Sequence, residues 1–324
     1  MVTRRYSLIY AALLAVGAMT SSCRQAVEEP KMHLTIGGPQ NLAMLVMLAQ
    51  DRGYFAKHGV DVTYQPLQNG KISFDAVAAG QIDLGLLVDA NLAFIGFEGQ
   101  RGVVAIASVM EKTDDAIVAR ADRNIRQPTD LTGRRVAYLP GTSSHVFLLR
   151  FAEKNKLDLS KVQLIAMSPP AMQAALTTGA VDAITVWQPF RSNAMATLGK
   201  AGMQFDNGGI YRARVLLTAR NDRLKTRSEA ARRVLDSLDE AASFARTNPN
   251  KAIPILAKQL GVNEKSLAGS WSEYNLAVTF PSDLSFSLGE IGKQVVQTEP
   301  KFRSRPVPDY AAFWEPLASA SVKP

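Results

Sequence analysis

The chain has 324 residues, of which 47% are hydrophobic and 20% are charged. This length suits two domains or one bilobed unit, and the composition suits an ordinary buried core. The formal net charge of +8 falls to +6 without the two arginines of the leader (8 − 2), and no run of five basic residues occurs, which argues against nucleic-acid binding. The remaining positive charge favours anionic ligands or an anionic membrane surface.

Residues 1–22 are predicted to be an export signal, because two arginines precede an apolar segment that is short for a transmembrane helix. Cys23, the only cysteine of the chain, follows at once in a context that resembles a bacterial lipobox, where the thiol is lipidated. Thr20 stands where that pattern usually has leucine, so a plain cleaved signal is the alternative. Residues 23–31 are polar and are predicted to form a flexible tether.

Strands and helices alternate in the first part of the folded chain. Apolar runs predict strands, and periodic apolar positions that end at glycine predict helices. The predicted strands cover residues 33–36, 61–64, 82–88, 103–109 and 116–120, and the predicted helices cover residues 41–50 and 73–79. This alternation predicts an α/β fold with mainly parallel sheets flanked by helices.

The alternation continues with predicted strands at residues 136–138, 162–167 and 183–187. A strand at residues 215–218 is predicted to return to the first lobe, and the chain after residue 228 is predicted to be mostly helical, including a helix over residues 264–274. We therefore predict two lobes with a cleft between them. Lobe 1 comprises residues 32–120 plus 215–324, and lobe 2 comprises residues 121–214.

A weak internal repeat supports two similar lobes. Residues 79–84, with the sequence Ala-Gly-Gln-Ile-Asp-Leu, recur as Thr-Gly-Ala-Val-Asp-Ala at residues 178–183, an offset of 99 positions (178 − 79). Each copy follows an amphipathic helix and enters an apolar strand. The repeat predicts one helix–glycine–strand unit in each lobe.

A glycine and three hydroxyl residues separate the predicted strand at 136–138 from a helix that begins near residue 146. They are Gly141, Thr142, Ser143 and Ser144. The first N–H groups of a helix have no partner within it and carry partial positive charge, so such an end binds anions, and small hydroxyl residues add donors. The alternative is that Thr142 or Ser143 only caps its own helix.

Ligands of open parallel sheets lie at the carboxyl ends of the strands, so the residues that follow each strand are candidate contacts. These candidates are Gln40, Asn41, Asp89, Thr142, Ser143, Ser144, His145 and Trp187. Helix capping is the alternative role for Gln40, Asn41 and Asp89. Core packing is the alternative for Trp187, and an exposed surface position is the alternative for His145. In the cleft, Asp89 would repel an anion but would suit the ammonium group of a zwitterion.

The sequence predicts neither a metal site nor a cofactor. The three histidines, His33, His58 and His145, have no metal-ligand spacing with another histidine, a cysteine or an acid. The chain also contains no nucleophile elbow and no P-loop. These observations argue against an enzyme.

Several segments resemble the periplasmic solute-binding proteins of ABC transporters, and most closely their aliphatic sulfonate, taurine and nitrate binders. They are Asp130-Leu131-Thr132-Gly133-Arg134-Arg135-Val136-Ala137, Pro140-Gly141-Thr142-Ser143-Ser144-His145, Gly179-Ala180-Val181-Asp182-Ala183 and Trp187-Gln188-Pro189. The resemblance implies a two-lobed type II periplasmic binding protein fold. It also implies a ligand held between the lobes and delivered to a membrane permease and its ATPase subunit.

The resemblance leaves the ligand open. Where many relatives have Gly-Asp-x-Pro, this chain has Val88-Asp89-Ala90-Asn91. A pyrimidine precursor of thiamine or an aromatic acid is therefore an alternative to a small anion such as a sulfonate, taurine or nitrate. An enzyme on the same fold and a ligand-sensing lipoprotein are alternatives from other classes.

The expected protein is an exported monomer, tethered by lipid at the periplasmic side of the inner membrane or at the outer cell surface. Thr142, Ser143 and Ser144 would hold an oxyanion from lobe 2, Gln40 and Asn41 would contact it from lobe 1, and Trp187 would pack against the apolar remainder. Because a sulfonate stays ionised at any physiological pH, its binding is expected to be nearly independent of pH.

Overall fold

The computed structural model describes residues 32–99 and 101–321, which belong to one compact unit. The predicted export signal and the predicted lipidated Cys23 lie outside the described residues. Within the described residues, no helix has both the length and the apolar character needed to cross a membrane.

The described residues contain eleven strands. In chain order they are Met32–Gly38 (β1), Val60–Pro66 (β2), Leu84–Val88 (β3), Val103–Lys112 (β4), Ala116–Arg120 (β5), Arg135–Tyr138 (β6), Gln163–Ala166 (β7), Ala183–Val186 (β8), Gly202–Phe205 (β9), Ala213–Arg220 (β10) and Tyr274–Thr279 (β11). They form a six-stranded sheet in the order β11-β4-β10-β3-β1-β2 and a five-stranded sheet in the order β7-β6-β8-β5-β9. We name the halves built on these sheets lobe 1 and lobe 2.

Helices flank both sheets. The α-helices are Met44–Asp51 (α1), Tyr54–Lys57 (α2), Gly70–Ala78 (α3), Asp89–Gly96 (α4), Ser143–Lys154 (α5), Pro169–Thr178 (α6), Phe190–Leu198 (α7), Asn221–Thr247 (α8), Pro249–Leu260 (α9), Glu264–Gly269 (α10) and Leu284–Thr298 (α11). Short 3-10 helices cover Gln40–Leu42, Ala121–Arg123, Pro128–Leu131, Leu159–Lys161, Gly199–Ala201, Trp271–Glu273, Pro300–Phe302 and Tyr310–Phe313. The predicted two-lobed α/β fold is confirmed.

The sheets are mixed: most strands of each sheet run in one direction, as predicted, and β5, β10 and β11 run against their neighbours. Strand β1 pairs in parallel with β2 and β3, and β6 pairs in parallel with β7 and β8. In contrast, β10 is antiparallel to both β3 and β4, and β5 is antiparallel to both β8 and β9. Strands β5 and β10 are the first strands that the chain forms after it crosses from one lobe to the other. Each of these two strands begins at the edge of its sheet that faces the other lobe, where the neighbouring strands end. It therefore runs antiparallel to those neighbours.

The sheets also place one strand differently from the predicted lobe boundary at residue 120. Strand β5 pairs with β8 and β9 of lobe 2, so the chain leaves the first sheet between Lys112 and Ala116. The apolar run of β5 showed that it was a strand but carried no signal for its sheet. A further difference lies at the end of the predicted helix over residues 264–274, where Tyr274 begins β11 at the edge of the first sheet.

The predicted repeat is a real structural repeat. Glycines 80 and 179 both end a helix with a left-handed backbone, at φ of +71° and +77°, which a residue without a side chain adopts at little cost. The helix α3 then leads to β3, which pairs with β1, and α6 leads to β8, which pairs with β6. Each lobe therefore contains the same helix–glycine–strand unit.

The aspartate of each repeat binds the neighbouring strand in the same way. A carboxylate oxygen of Asp83 accepts the Thr35 N–H at 2.9 Å, and a carboxylate oxygen of Asp182 accepts the Arg135 N–H at 3.0 Å. The second oxygen accepts an arginine side chain, Arg227 at 2.7 Å in lobe 1 and Arg135 at 2.8 Å in lobe 2. These bonds attach the start of each central strand to its parallel partner.

The hydrophobic core lies between the sheets and their helices. Every residue of β3 is buried, as expected for a strand covered on both faces. The main core continues from lobe 1 into one face of lobe 2, where it includes Phe147, Phe151 and Phe205. A separate small core, which includes Met172 and Ile184, lies on the other face of the lobe 2 sheet.

We expect the substitution Asp182→Asn to lower the free energy of unfolding by about 1–3 kcal/mol, because it weakens the bonds from the backbone N–H and the side chain of Arg135. Asp83→Asn should have a similar effect in lobe 1. Bonding to Arg135 holds the pKa of Asp182 below its usual value. The stabilisation is therefore present above the unfolded-state pKa of about 4 and is lost as the pH falls through the folded-state value.

Urea denaturation at several pH values would measure this effect. Asp51→Asn is a suitable control, since Asp51 is exposed at the end of α1. Equal stability of Asp182→Asn and the wild type at pH 7 would contradict the role given to this carboxylate.

Candidate functional site

A cavity of about 820 Å³ lies between the lobes. Its walls come from the segments that follow the carboxyl ends of β1, β2, β3 and β4 in lobe 1 and of β6, β7 and β8 in lobe 2. Lobe 1 supplies Gln40, Asn41, Leu67, Asn69, Val88 and Lys112; lobe 2 supplies Leu139, Thr142, Ser143, Ser168, Trp187 and Phe190. Residues around α10 supply a third wall, with Leu260, Val262, Leu267, Ser270 and Tyr274. The cavity therefore lies at the strand ends, where ligands of such sheets bind.

The N-terminus of α5 faces this cavity. Thr142 is its N-cap residue and Ser143 its first residue, and both line the cavity. The side chain of Thr142 makes no capping hydrogen bond to this helix. Gly141 precedes it with φ of +74°, a conformation that lets the chain turn sharply from β6 into the helix. The backbone N–H groups at this end are therefore placed to bind an acceptor from a ligand.

The two hydroxyl groups at this helix end bind protein acceptors. Ser143 Oγ donates to Asp115 Oδ1 at 2.9 Å, and Thr142 Oγ1 donates to the Leu139 carbonyl at 2.7 Å. From the sequence, these hydroxyl groups were expected to donate to an anion. In this structure each proton is already used, so the oxygens present lone pairs to the cavity.

Ser144 and His145 do not line the cavity. Successive helical residues are turned by about 100°, so the residues after Ser143 face the protein interior. Ser144 is fully buried and its Oγ bonds to Thr142 Oγ1 at 3.1 Å. His145 is fully buried as well, between the rings of Phe94 and Tyr138. The structure therefore shows His145 neither in contact with the cavity nor at the exposed surface, the two positions expected from the sequence.

His145 instead supports the turn before the helix. Its Nδ1 accepts the Gly141 N–H at 3.2 Å, and its Nε2 lies 3.1 Å from Glu299 Oε1. The Gly141 carbonyl accepts a bond from Asn91 Nδ2 of lobe 1 at 2.7 Å. These contacts hold the start of α5 against α4.

Gln40 and Asn41 line the cavity, as the sequence analysis expected of residues that follow the first strand. They form the start of the 3-10 helix Gln40–Leu42. The side-chain amide of Gln40 donates to the Gln259 carbonyl at 2.8 Å, so it also joins this loop to α9. Contact of either residue with a ligand stays a prediction.

Asp89 lies outside the cavity lining. It is buried at the start of α4, where its carboxylate accepts the Ala90 N–H at 2.8 Å and the Tyr211 hydroxyl. Burial raises the pKa of Asp89, although the bond from Tyr211 opposes this effect. Asp89 therefore connects α4 with the segment that enters β10, which matches its alternative role at the helix start.

Trp187 lines the cavity directly after β8 and is half-buried. Its ring meets that of Phe190 edge-on, with the centroids 6.1 Å apart. Together they form an aromatic surface in lobe 2. The position favours a wall that packs against an apolar part of a ligand over complete burial in the core.

Lys112 is the one charged residue among the residues that line the cavity. It is 2% exposed, at the end of β4, and its ammonium group bonds to Asp114 Oδ1 and, at 3.4 Å, to Asp115 Oδ2. Burial alone would lower the pKa of Lys112, but the two carboxylates outweigh it and the pKa is raised. Burial raises the pKa of Asp115 to about 6, against the opposing effect of Lys112.

This cluster lies where the chain crosses between the lobes, and further bonds attach it to both. Asp114 accepts the Tyr274 hydroxyl from lobe 1 and the Gln188 N–H from lobe 2, both at 3.2 Å. Beside it, Arg191 of α7 forms a two-bond ion pair with Glu273 at 2.7 and 2.9 Å. The crossing is therefore held by buried charges from both lobes.

Two of the residues that line the cavity, Lys112 and Tyr274, were not predicted from the sequence. Lys112 lies in a polar run, Glu-Lys-Thr-Asp-Asp at residues 111–115, between two buried strands. Polar residues that follow strand ends were taken as candidates, but the predicted strand ended at residue 109. A predicted strand that extended to Lys112 would have made this run a candidate. Tyr274 had no such signal, because it approaches the cavity only through the packing of the C-terminal segments. Among the described residues, no group of three histidines, cysteines or acids is placed to hold a metal ion.

We expect Lys112→Met to lower the free energy of unfolding by about 3–5 kcal/mol, because it leaves two buried carboxylates without their cation. Adding Asp115→Asn to this variant should recover part of the loss. Denaturant unfolding of both variants and of Lys154→Met, a change at an exposed lysine, would test this. A Lys112→Met variant as stable as Lys154→Met would contradict it.

Comparison with known proteins agrees with this architecture. A Brucella abortus protein whose name describes a binding protein is 26% identical over 226 residues, which cover 69% of each chain. The taurine-binding periplasmic protein of Escherichia coli is 24% identical over 294 residues, or 88% of this chain and 89% of the relative.

The crystal structure of the periplasmic aliphatic sulphonate binding protein SsuA from Escherichia coli superposes with a TM-score of 0.77 at 20% identity. It covers 91% of this chain and 96% of that one, so the two share their fold. The model of the family described as NMT1/THI5 like matches residues 40–252, well over half of the chain. This protein therefore belongs to the NMT1/THI5-like family.

Proposed function

We propose that this protein is the extracytoplasmic solute-binding component of an ABC importer, which captures a small ligand between its lobes and delivers it to a permease. The observation that supports this best is the cavity of about 820 Å³, lined from both lobes at their strand ends. The taurine-binding and sulphonate-binding proteins to which the chain is similar have this kind of function by name. We propose that the protein binds its ligand without catalysing a reaction. Its proposed partners are the permease and the ATPase subunit of the importer, and nucleic acid is not among them.

The mechanism we propose is closure on the ligand. The chain crosses between the sheets from Lys112 to Ala116 and from Phe205 to Ala213, so the lobes are joined by two short connections. A ligand that contacts both walls binds the closed form better than the open form, and it shifts the equilibrium towards closure by that difference in affinity. Closure would create the surface that the permease recognises.

The ligand that we propose is small and carries an acidic group, as in a sulfonate or taurine. The N–H groups at the start of α5 and the ammonium group of Lys112 are the donors for that group. Trp187 and Phe190 offer an apolar surface to the remainder of the molecule. A pyrimidine precursor of thiamine or an aromatic acid is the alternative, supported by the same aromatic surface.

Export is part of the proposal. Residues 1–22 would direct the chain across the membrane, and lipidation of Cys23 would keep it there as a monomer beside the permease. Mass spectrometry of the mature protein from membranes would find a lipidated Cys23 at the N-terminus, or a free cleaved end if the signal is of the plain type.

We expect Trp187→Ala to weaken ligand binding about 10- to 100-fold, because it removes an apolar wall worth roughly 1.5–3 kcal/mol, whereas Trp187→Phe should cost much less. Calorimetric titration with alkanesulfonates, taurine, nitrate, sulfate and an aminopyrimidine would measure both. Recovery of the ligand unchanged after incubation distinguishes binding from catalysis. Failure of all these compounds to bind would contradict the proposed ligand class, and chemical turnover would support the enzyme instead.

Binding of a simple sulfonate should depend on pH, contrary to the expectation from the sequence alone. The pKa of Asp115 lies near 6, so this carboxylate is mostly ionised at pH 7.5 and mostly protonated at pH 5. An ionised Asp115 repels an anion at the start of α5. Anion binding therefore favours protonation, and affinity should rise by up to about tenfold as the pH falls through 6.

Calorimetry with ethanesulfonate between pH 5 and 8 would measure this rise. Asp115→Asn should bind ethanesulfonate with the same affinity across the range. A wild-type affinity that is flat, or that falls towards low pH, would show that Asp115 does not act on the bound anion.

A further inference from the structure

Seven residues with a hydroxyl group line the cavity, and five of these hydroxyl groups share one property. Each of five lining residues uses its hydroxyl proton in a bond to a protein acceptor: Thr142, Ser143, Ser192, Ser270 and Tyr274. A hydroxyl group has one proton and two lone pairs, so these oxygens are left as acceptors. Two of the protons are held by the buried carboxylates, that of Ser143 by Asp115 and that of Tyr274 by Asp114. These five oxygens can therefore only accept a hydrogen bond from a ligand.

The net charge beside the cavity also favours a ligand with a positively charged donor group. Five charged groups lie together at the crossing: Lys112, Arg191, Asp114, Asp115 and Glu273. Two cations and three carboxylates sum to −1 when all are ionised. A purely anionic ligand would approach a site of its own sign, whereas a group with positive charge would neutralise it.

Donors are also present, but they come from other atoms. The start of α5 offers backbone N–H groups, and the side chain of its N-cap residue Thr142 does not cap them. The Lys112 ammonium has three protons; two bonds go to Asp114 and Asp115, and its Nζ lies 5.9 Å from the centre of the Trp187 ring. Thus donors and acceptors lie side by side on the same wall.

We infer that the ligand is a zwitterion, in which an acidic group binds the start of α5 and an ammonium group binds the hydroxyl oxygens of Ser143 and Tyr274. The inference rests on the proposed function and refines its ligand class. A simple anion would satisfy the N–H groups but would leave the acceptors desolvated and unpaired, which costs affinity. A simple amine would leave the helix N-terminus unpaired.

Matched pairs of ligands test this directly on the wild-type protein. Taurine and ethanesulfonate differ in one ammonium group, and 3-aminopropanesulfonate and propane-1-sulfonate form a second pair. We expect the amino compound of at least one pair to bind 10-fold or more tightly at pH 7.5, and ethylamine alone to bind more weakly than taurine. If the unsubstituted sulfonate of each pair binds as tightly as its amino partner, or more tightly, the zwitterion inference is wrong.

Two variants locate the acceptors. Asp115→Asn removes the charge that holds the Ser143 proton, so it should reduce the preference for taurine over ethanesulfonate at least several-fold. Tyr274→Phe, which removes an acceptor without changing charge, should weaken taurine binding several-fold more than it weakens ethanesulfonate binding. Asp51→Asn, at an exposed position, is the control. Unchanged preferences in both folded variants would overturn the inference.

Failure of the inference and failure of the proposed function differ in outcome. If ethanesulfonate binds and the amino group adds nothing, the protein is a sulfonate-binding component and only the zwitterion inference fails. If no member of either pair binds to folded protein, the proposed sulfonate-type ligand fails, and the inference falls with it.

Discussion

The buried charges at the crossing between the lobes are the constraint on which the rest of the site depends. Lys112, Asp114 and Asp115 are each 2% exposed or less, in the short segment that leaves β4 and enters β5. Charged groups so deeply buried are stable only as partners of one another and of further hydrogen-bonding groups. Here those further groups come from both lobes, in Tyr274, Gln188 and Ser143. A segment that connects the lobes therefore also determines the chemistry of the cavity between them.

The same cluster of buried charges changes which ligand groups can bind at the helix N-terminus at Ser143. A bare helix start with hydroxyl residues is an anion site in isolation, since both the N–H groups and the hydroxyl groups donate. With Asp115 beneath it, the N–H groups still donate but the hydroxyl oxygen accepts. The N–H groups of the helix start thus favour a negatively charged ligand group, and the hydroxyl oxygen beside Asp115 favours a positively charged one. A ligand that carries both charges satisfies both.

Much of the architecture was predictable because it follows local periodicity. The alternation of apolar strands and amphipathic helices predicted an α/β fold, and the repeat of Gly-x-x-Asp predicted one common unit in each lobe. Asp83 and Asp182 show why that repeat exists, since each binds the N–H of the parallel strand beside it. The direction of β10 and the sheet to which β5 belongs had no local signal. They depend on where the chain crosses between lobes, which is a property of the whole fold.

The sequence by itself determined that a helix begins at the cleft with exposed donors, and that polar residues follow the strand ends. These features are encoded by neighbours in the chain: Gly141 for the turn, Ser143 for the open helix start and Trp187 for the wall. Only the tertiary structure decided that Ser144, His145 and Asp89 point away from the cavity and that Lys112 and Tyr274 belong to it. The physical reason is that a hydroxyl group's role as donor or acceptor depends on its partner. For Ser143 that partner, Asp115, comes from the segment between β4 and β5 rather than from its own helix.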